Sequence, residues 1–406
     1  MQRWPFALKM MLALGIFLFI DSWLVPGNIA VNILGSSVRF DGFLVQAGWY
    51  VLAIVTAGLV YARGGDVEQP LRFLIVGAVL SALWALAQAY GFEPVSLLYS
   101  EPLTYNEDRV AYGPMALTGL TAAHLAVVLT AFVALQKRFR VLPALVVMVL
   151  AAALIATGNR TAPAALMLTV GGLALSYLVR RRYWHVGVIS LYAIVALGAL
   201  VLVQTTRSVP IEQLERTTQL VRGSDTSFQT RLVFWTAGIR GMFDYPLTGL
   251  GPNGFNQIFW QHLSREEKLP IIKHDLPDGA KDIMLSPRTL LSYRLPEQTD
   301  EDRPILATIT MDKAHNYLLD MIIASGWPSA ILFLSAIGSG VAMMLRSGRR
   351  EARAVALATC VYVLFGLTWF ATLQVDPIVW GLFGVGIGAV WARPDHTASL
   401  SNPPVK

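Results

Sequence analysis

The sequence predicts an all-α integral membrane protein with about ten (up to twelve) transmembrane helices and one large extramembrane loop. Three observations predict it. Hydrophobic residues make up 55% of the 406-residue chain and charged residues only 14%, where a soluble domain carries roughly a quarter charged residues. The apolar residues gather into runs of roughly 17–25, enough to cross ~30 Å of hydrocarbon as helix. One long segment, 205–313, interrupts this pattern with thirteen Lys/Arg and fourteen Asp/Glu.

The runs fall at residues 7–25, 43–62, 71–90, 115–135, 141–157, 163–179, 186–204, 327–345, 353–373 and 376–392, the last being short for a span. The first contains Lys9 and Asp21 and lacks a small-residue cleavage site, so it reads as a retained span rather than a removed signal peptide. The organisation expected is a bundle over residues 1–204 (about seven spans), a loop over 205–313, further spans over 314–393 and a tail over 394–406. Alternate short connectors carry Arg63, Arg72, Lys137, Arg138, Arg140, Arg180, Arg181, Arg182, Arg346, Arg349, Arg350 and Arg353. The intervening ones carry only Arg39, Arg109 and Arg160. Positive charge favours the cytoplasm, so the first set, both termini and the tail are expected there, with the long loop outside.

Within the loop, residues 228–243 place Leu232, Trp235, Ile239 and Met242 at helical spacing. This predicts an amphipathic helix against the membrane surface or the bundle. Pro246, Gly249, Gly251 and Gly254 then mark a turn-rich passage, and residues 262–313 read as a polar, partly ordered cap.

The pI near 9.4 does not signal nucleic-acid binding, because the basic residues sit in short connectors between spans. Cys360 is the single cysteine, which excludes a disulfide framework and a thiolate metal site. No HExxH, P-loop or Gly-x-Ser-x-Gly element is present. Asp300-Glu301-Asp302 has no apolar framing and reads as a solvated acidic run. No metal and no cofactor is expected.

What remains is a set of ionisable groups at the mouths of spans, which are functional candidates because placing them there costs free energy. Arg160 lies in Thr157-Gly158-Asn159-Arg160-Thr161, where a guanidinium beside free helix N–H groups makes an anion site; the plain alternative is an arginine snorkelling to water. Arg231 could grip a pyrophosphate with its two-pronged fork while Trp235, one turn on, offers a face to a sugar or isoprenoid; a surface helix meeting lipid phosphate is the alternative. His315, in Ala314-His315-Asn316-Tyr317-Leu318, carries an imidazole, a group that unperturbed titrates near neutrality and so suits a general base. Asp312 precedes it by three residues and Asp320 follows by five, while Asn316 is expected to orient a substrate or the loop and Tyr317 to support the site. A histidine bonded to a carbonyl is the alternative.

These blocks, together with Arg231-Leu-Val-Phe-Trp235 running into Pro246-Leu-Thr-Gly249-Leu-Gly251-Pro-Asn-Gly-Phe255, resemble the O-antigen ligase/polymerase family of bacterial membrane glycosyltransferases. They occur in the family's order over roughly residues 145–345. The resemblance implies a GT-C-type membrane fold, an undecaprenyl-pyrophosphate-linked glycan as donor, and reaction at the periplasmic face of the inner membrane without metal or ATP. In the ligase branch the acceptor is lipid A-core; a repeat polymerase or a protein O-oligosaccharyltransferase would differ in acceptor. The family usually has nearer twelve spans, and Asn159 stands where serine is common. A membrane transporter, the rival from another class, would show polar residues strung through several spans and broken helices near the midplane.

Overall fold

The structure is a computed structural model describing residues 4–25, 28–35, 41–94, 111–206, 226–274, 276–277, 279–285, 290–295, 297–298, 303–308 and 311–392. Arg39, Arg109, Asp300-Glu301-Asp302 and the tail 394–406 lie outside these residues.

Every expected apolar run coincides with a helix. These are α1 (Phe6–Leu24), α3 (Phe43–Ala62), α4 (Glu68–Ala89), α5 (Thr118–Ala134), α6 (Val141–Ala156), α7 (Thr161–Val179), α8 (Tyr183–Thr206), α12 (Tyr317–Arg346), α13 (Arg350–Gly366) and α14 (Asp376–Trp391). A short α2 (Ile29–Leu34) follows α1. Among the described residues, α1, α3, α4, α7, α8 and α12 are long and apolar enough to cross a membrane, and α5, α6 and α14 are shorter apolar helices. The fold is that of an all-α membrane protein. Its flanks keep apolar side chains exposed, as lipid contact requires: Phe73 (69%) and Leu80 (62%) on α4, Met167 (73%) on α7.

The helices alternate in direction, which gives the bundle two ends. At one, here the loop end, Tyr90 after α4 and Thr206 closing α8 share a hydroxyl hydrogen bond at 2.6 Å. At the other, the arginine end, Tyr61 stacks on Trp391 at 4.3 Å and Arg349 donates to the Ala389 carbonyl. The described cavity of about 580 Å³ also lies there, between Gly64–Leu71 and Arg349–Glu351.

Close packing in the bundle rests on small residues. In α14 a Cβ at Gly384 would run into the Ala53 carbonyl of α3, and one at Gly388 into the Ala57 carbonyl. Glycines four apart let the two backbones touch. Gly384→Leu is therefore expected to destabilise the bundle by more than about 3 kcal/mol, the upper end of ordinary overpacking. Thermal unfolding of the detergent-purified variant checks this; an unchanged midpoint would show that the α3–α14 contact yields.

The loop builds its own small core. Helices α9 (Thr226–Gly241), α10 (Gly254–His262) and α11 (Arg265–His274) are followed by strands β1 (Lys281–Leu285), β2 (Leu290–Arg294) and β3 (Ile305–Thr308). The strands pair antiparallel in the order β1-β2-β3, with Leu291 opposite Ala307. Strands were not expected here. Ile283, Leu285, Tyr293 and Ala307 pack on a core of Phe234, Phe255, Ile258, Phe259 and Ile272.

The expected amphipathic helix exists as α9, but its buried face differs. Phe234, Ala237 and Gly238 turn inward, while Ile239 stays 52% exposed. The reason is closeness: a Cβ at Gly241 would collide with Ile258 of α10, so small residues set that contact beside Phe234, and Ile239 faces out.

Helix α12 is two helices. Gly326 has φ 72° and ψ 177°, which breaks the ladder before Trp327-Pro328. The expected run from 327 is its second limb. The groups released by the break are bonded by the turn-rich passage: Trp327 N–H donates to Pro246 O (2.8 Å), Leu250 N–H to Ile323 O (2.8 Å) and Gly251 N–H to Ala324 O (2.9 Å). Buried backbone must be paired, and here the loop pairs it.

Candidate active site

The first limb of α12 carries His315 to the loop end. Asn316 caps it: Oδ1 accepts from Leu318 and Leu319 N–H (3.1 Å each), a cap worth about 1 kcal/mol. The same side chain donates through Nδ2 to Leu367 O at 3.0 Å, tying α12 to the end of α13. Asp320 accepts the Ala314 N–H at 2.6 Å. Between these clamps His315 is held at φ 54°, a left-handed conformation rare outside glycine. Such strain persists only where the surroundings over-determine it.

The imidazole sits in an aromatic box. Phe234 of α9 stacks on it at 5.8 Å, Phe370 meets it edge-on at 5.0 Å and Trp369 at 5.8 Å. Trp369 and Phe370 belong to the turn between α13 and α14. The reading of residues 353–373 as one apolar run missed this, because α13 stops at Gly366. That turn is fixed at its far end, where Asp376 accepts Thr372 N–H and the Tyr362 hydroxyl, each at 2.6 Å.

Arg231 reaches the same place from α9. Its guanidinium carbon lies 5.8 Å from the centre of the Trp369 ring, a cation–π contact. Arg231 and His315 therefore flank one indole. Arg240, further along α9, donates instead to His262 O (3.0 Å) and to Glu267 (3.1 Å). This pairing holds the Glu267 carboxyl below its usual range.

Arg160 is half-buried at the start of α7. Gly158 (φ 79°) turns the chain there, and Asn159 Oδ1 accepts the Ala162 N–H at 2.9 Å. Helices α7 and α5 both pack on α13, and a Cβ at Gly119, opening α5, would meet Trp369. The start of α7 thus stands at the same end of the bundle as the other two residues.

The supporting residues are placed as follows. Trp235 turns its indole N–H to the His315 carbonyl at 3.3 Å, so it holds the histidine's backbone rather than offering that N–H to a ligand. Tyr317 is buried in the bundle, stacked on Phe333 at 5.1 Å, and points away from the box. Asp312 is half-buried just before the clamped segment.

Fold and site together define a multi-pass α-helical membrane protein with an arginine–histidine–aromatic cluster at one mouth of its bundle. Residues 144–275 match the family model described as O-antigen ligase. The match covers 132 of the 406 residues and supports the O-antigen ligase/polymerase family, a membrane glycosyltransferase type. The matched segment runs from α6 to α11 and contains Arg160 and Arg231; His315 and Trp369 lie beyond it. No curated protein matches the chain.

Proposed function

We propose that the protein transfers a glycan from undecaprenyl-pyrophosphate to an acceptor hydroxyl, that of lipid A-core, at the periplasmic face of the inner membrane. The observation that carries this reading is the meeting of Arg231 and His315 on the Trp369 ring. One is a fixed anion-binding fork and the other a titratable base, and the two are close enough to serve one donor and one acceptor.

The chemistry follows from the charges. The acceptor oxygen attacks the anomeric carbon and the carbon–oxygen bond to pyrophosphate breaks. Negative charge spreads over the phosphate oxygens, where Arg231 and Arg160 stabilise it. The acceptor proton passes to the His315 imidazole as attack develops. A single displacement inverts the anomeric centre. Pyrophosphate is a good leaving group, so the reading asks nothing of a nucleotide or an acid catalyst.

The broken α12 is not a transporter's feature in this reading. The break lies near the loop end, and its free backbone groups bond to residues 246–251 rather than line an open path.

Arg231→Lys is expected to lower transfer on the order of 10²-fold, the loss typical when one charge-stabilising donor is removed. An ammonium cannot reproduce the two-pronged contact. The rate measured in proteoliposomes with lipid-linked O-glycan and lipid A-core checks this, and a wild-type rate would take Arg231 out of the phosphate site. Lipopolysaccharide gels of a deletion strain test the acceptor. Lost O-chain with accumulated lipid-linked polymer supports a ligase; a single repeat on the core supports a polymerase; an unchanged profile points to a protein or exopolysaccharide acceptor.

A further inference from the structure

The segment leading into His315 carries a buried ion pair that the chemistry above does not use. Lys313 Nζ pairs with Asp41 Oδ2 and also donates to the Pro252 carbonyl at 2.9 Å. Both side chains are shut away from solvent, at 8% and 2% exposure. Asp41 stands just before α3, and its own backbone is fixed, since Gln46 Nε2 donates to its carbonyl at 2.8 Å. Behind it, a Cβ at Gly42 would strike the backbone of residues 33–35, so the seat of Asp41 is tightly packed.

Burying two charges is expensive, and an apolar pair of the same size would often stabilise a fold as well or better. The pair's placement offers a reason for its presence. Lys313 is two residues from the left-handed His315. It links that segment to the N-terminal bundle through Asp41 and to the turn-rich passage through Pro252. Alongside it, Asn256 Oδ1 accepts the Met311 N–H at 3.1 Å and Asp320 accepts the Ala314 N–H at 2.6 Å. A bend of this kind needs several fixed points, and Lys313 supplies the one that reaches α3.

We infer that Asp41 and Lys313 are positioning residues that register the His315 segment against the N-terminal bundle, the ion pair and the Lys313–Pro252 hydrogen bond together holding the imidazole where the acceptor hydroxyl arrives. This rests on the reading of His315 as the base. Neither residue touches substrate.

Two variants test it in purified protein reconstituted with lipid-linked O-glycan and lipid A-core, with rates expressed per folded molecule from the size-exclusion peak. Asp41→Asn leaves Lys313 with a weaker partner. It is expected to lower kcat at least about tenfold, as a displaced catalytic group does, with the donor KM little changed. The double variant Asp41→Leu/Lys313→Met keeps the volume and removes the ion pair and the hydrogen bond to Pro252. Its melting temperature is expected at or above that of Asp41→Asn while its kcat stays low. A merely structural pair would instead recover rate together with stability. A wild-type kcat per folded molecule in either variant overturns the inference, and if one fails to give a monodisperse peak the other decides. His315→Ala in the same assay separates the two levels. Full activity there discards the base, whereas an inactive His315→Ala beside a fully active Asp41→Asn discards only the positioning pair.

Discussion

His315→Ala is expected to lower glycan transfer by about 10²–10⁴-fold, the contribution of a positioned general base. The acceptor hydroxyl is a weak nucleophile, and the imidazole is the titratable group that the α12 cap, the Trp235 N–H and the aromatic box combine to hold. Alanine also sits poorly at φ 54°, at a cost of about 1–2 kcal/mol. His315→Asn serves as the control for that strain, because asparagine accepts the left-handed conformation but cannot take the proton. Both variants are expected to insert and to leave lipid-linked glycan unused, and His315→Asn to melt with the wild type. Normal O-glycan attachment by His315→Asn would remove the base from the mechanism.

Gly249→Val is expected to have the largest structural effect. Gly249 has φ 67°, and a Cβ there would enter the backbone of Ala324 and Ser325 at the α12 break. The side chain thus meets both conformational strain and a backbone collision. The segment 246–251 would lift off, leaving the Ile323 and Ala324 carbonyls and the Trp327 N–H unpaired; each buried orphan costs about 1–3 kcal/mol. His315 would lose its support, since both limbs of α12 take their angle from this contact. Gly64→Ala is the comparison: φ is 68°, but nothing lies within 4 Å of the added Cβ. Limited proteolysis of the reconstituted protein should show rapid cleavage in the loop for Gly249→Val and a wild-type pattern for Gly64→Ala. Equal resistance in both would mean that the break tolerates an undocked loop.

Much of the fold was legible because lipid imposes long apolar runs, and each such run proved to be a helix. The departures have physical causes. Residues 353–373 read as one run although α13 ends at Gly366, because Leu367, Trp369 and Phe370 are as apolar as a span. Those residues form the turn that closes the box on His315. The strands of the loop are four or five residues long in polar surroundings, below what alternation can signal. The inward face of α9 was missed because Ala237, Gly238 and Gly241 are small rather than hydrophobic, and close approach favours small residues. Gly326-Trp327-Pro328 is visible as punctuation, yet only the structure pairs it with Pro246–Gly251. His315 and Arg160 stood out as ionisable groups at span mouths, and Arg231 as the head of an amphipathic segment in the loop. Trp369, which joins two of them, carries no charge and gave no such signal. The Asp41–Lys313 pair joins residues far apart along the chain, and a single sequence holds no trace of such a partnership.

The most direct measurement is a structure of the lipid-embedded protein with undecaprenyl-pyrophosphate bound. The diphosphate is expected to lie in contact with the guanidiniums of Arg231 and Arg160, with its glycosyl-bearing oxygen turned toward His315. Diphosphate bound in the cavity at the arginine end, or at the loop end touching neither guanidinium, would contradict the account.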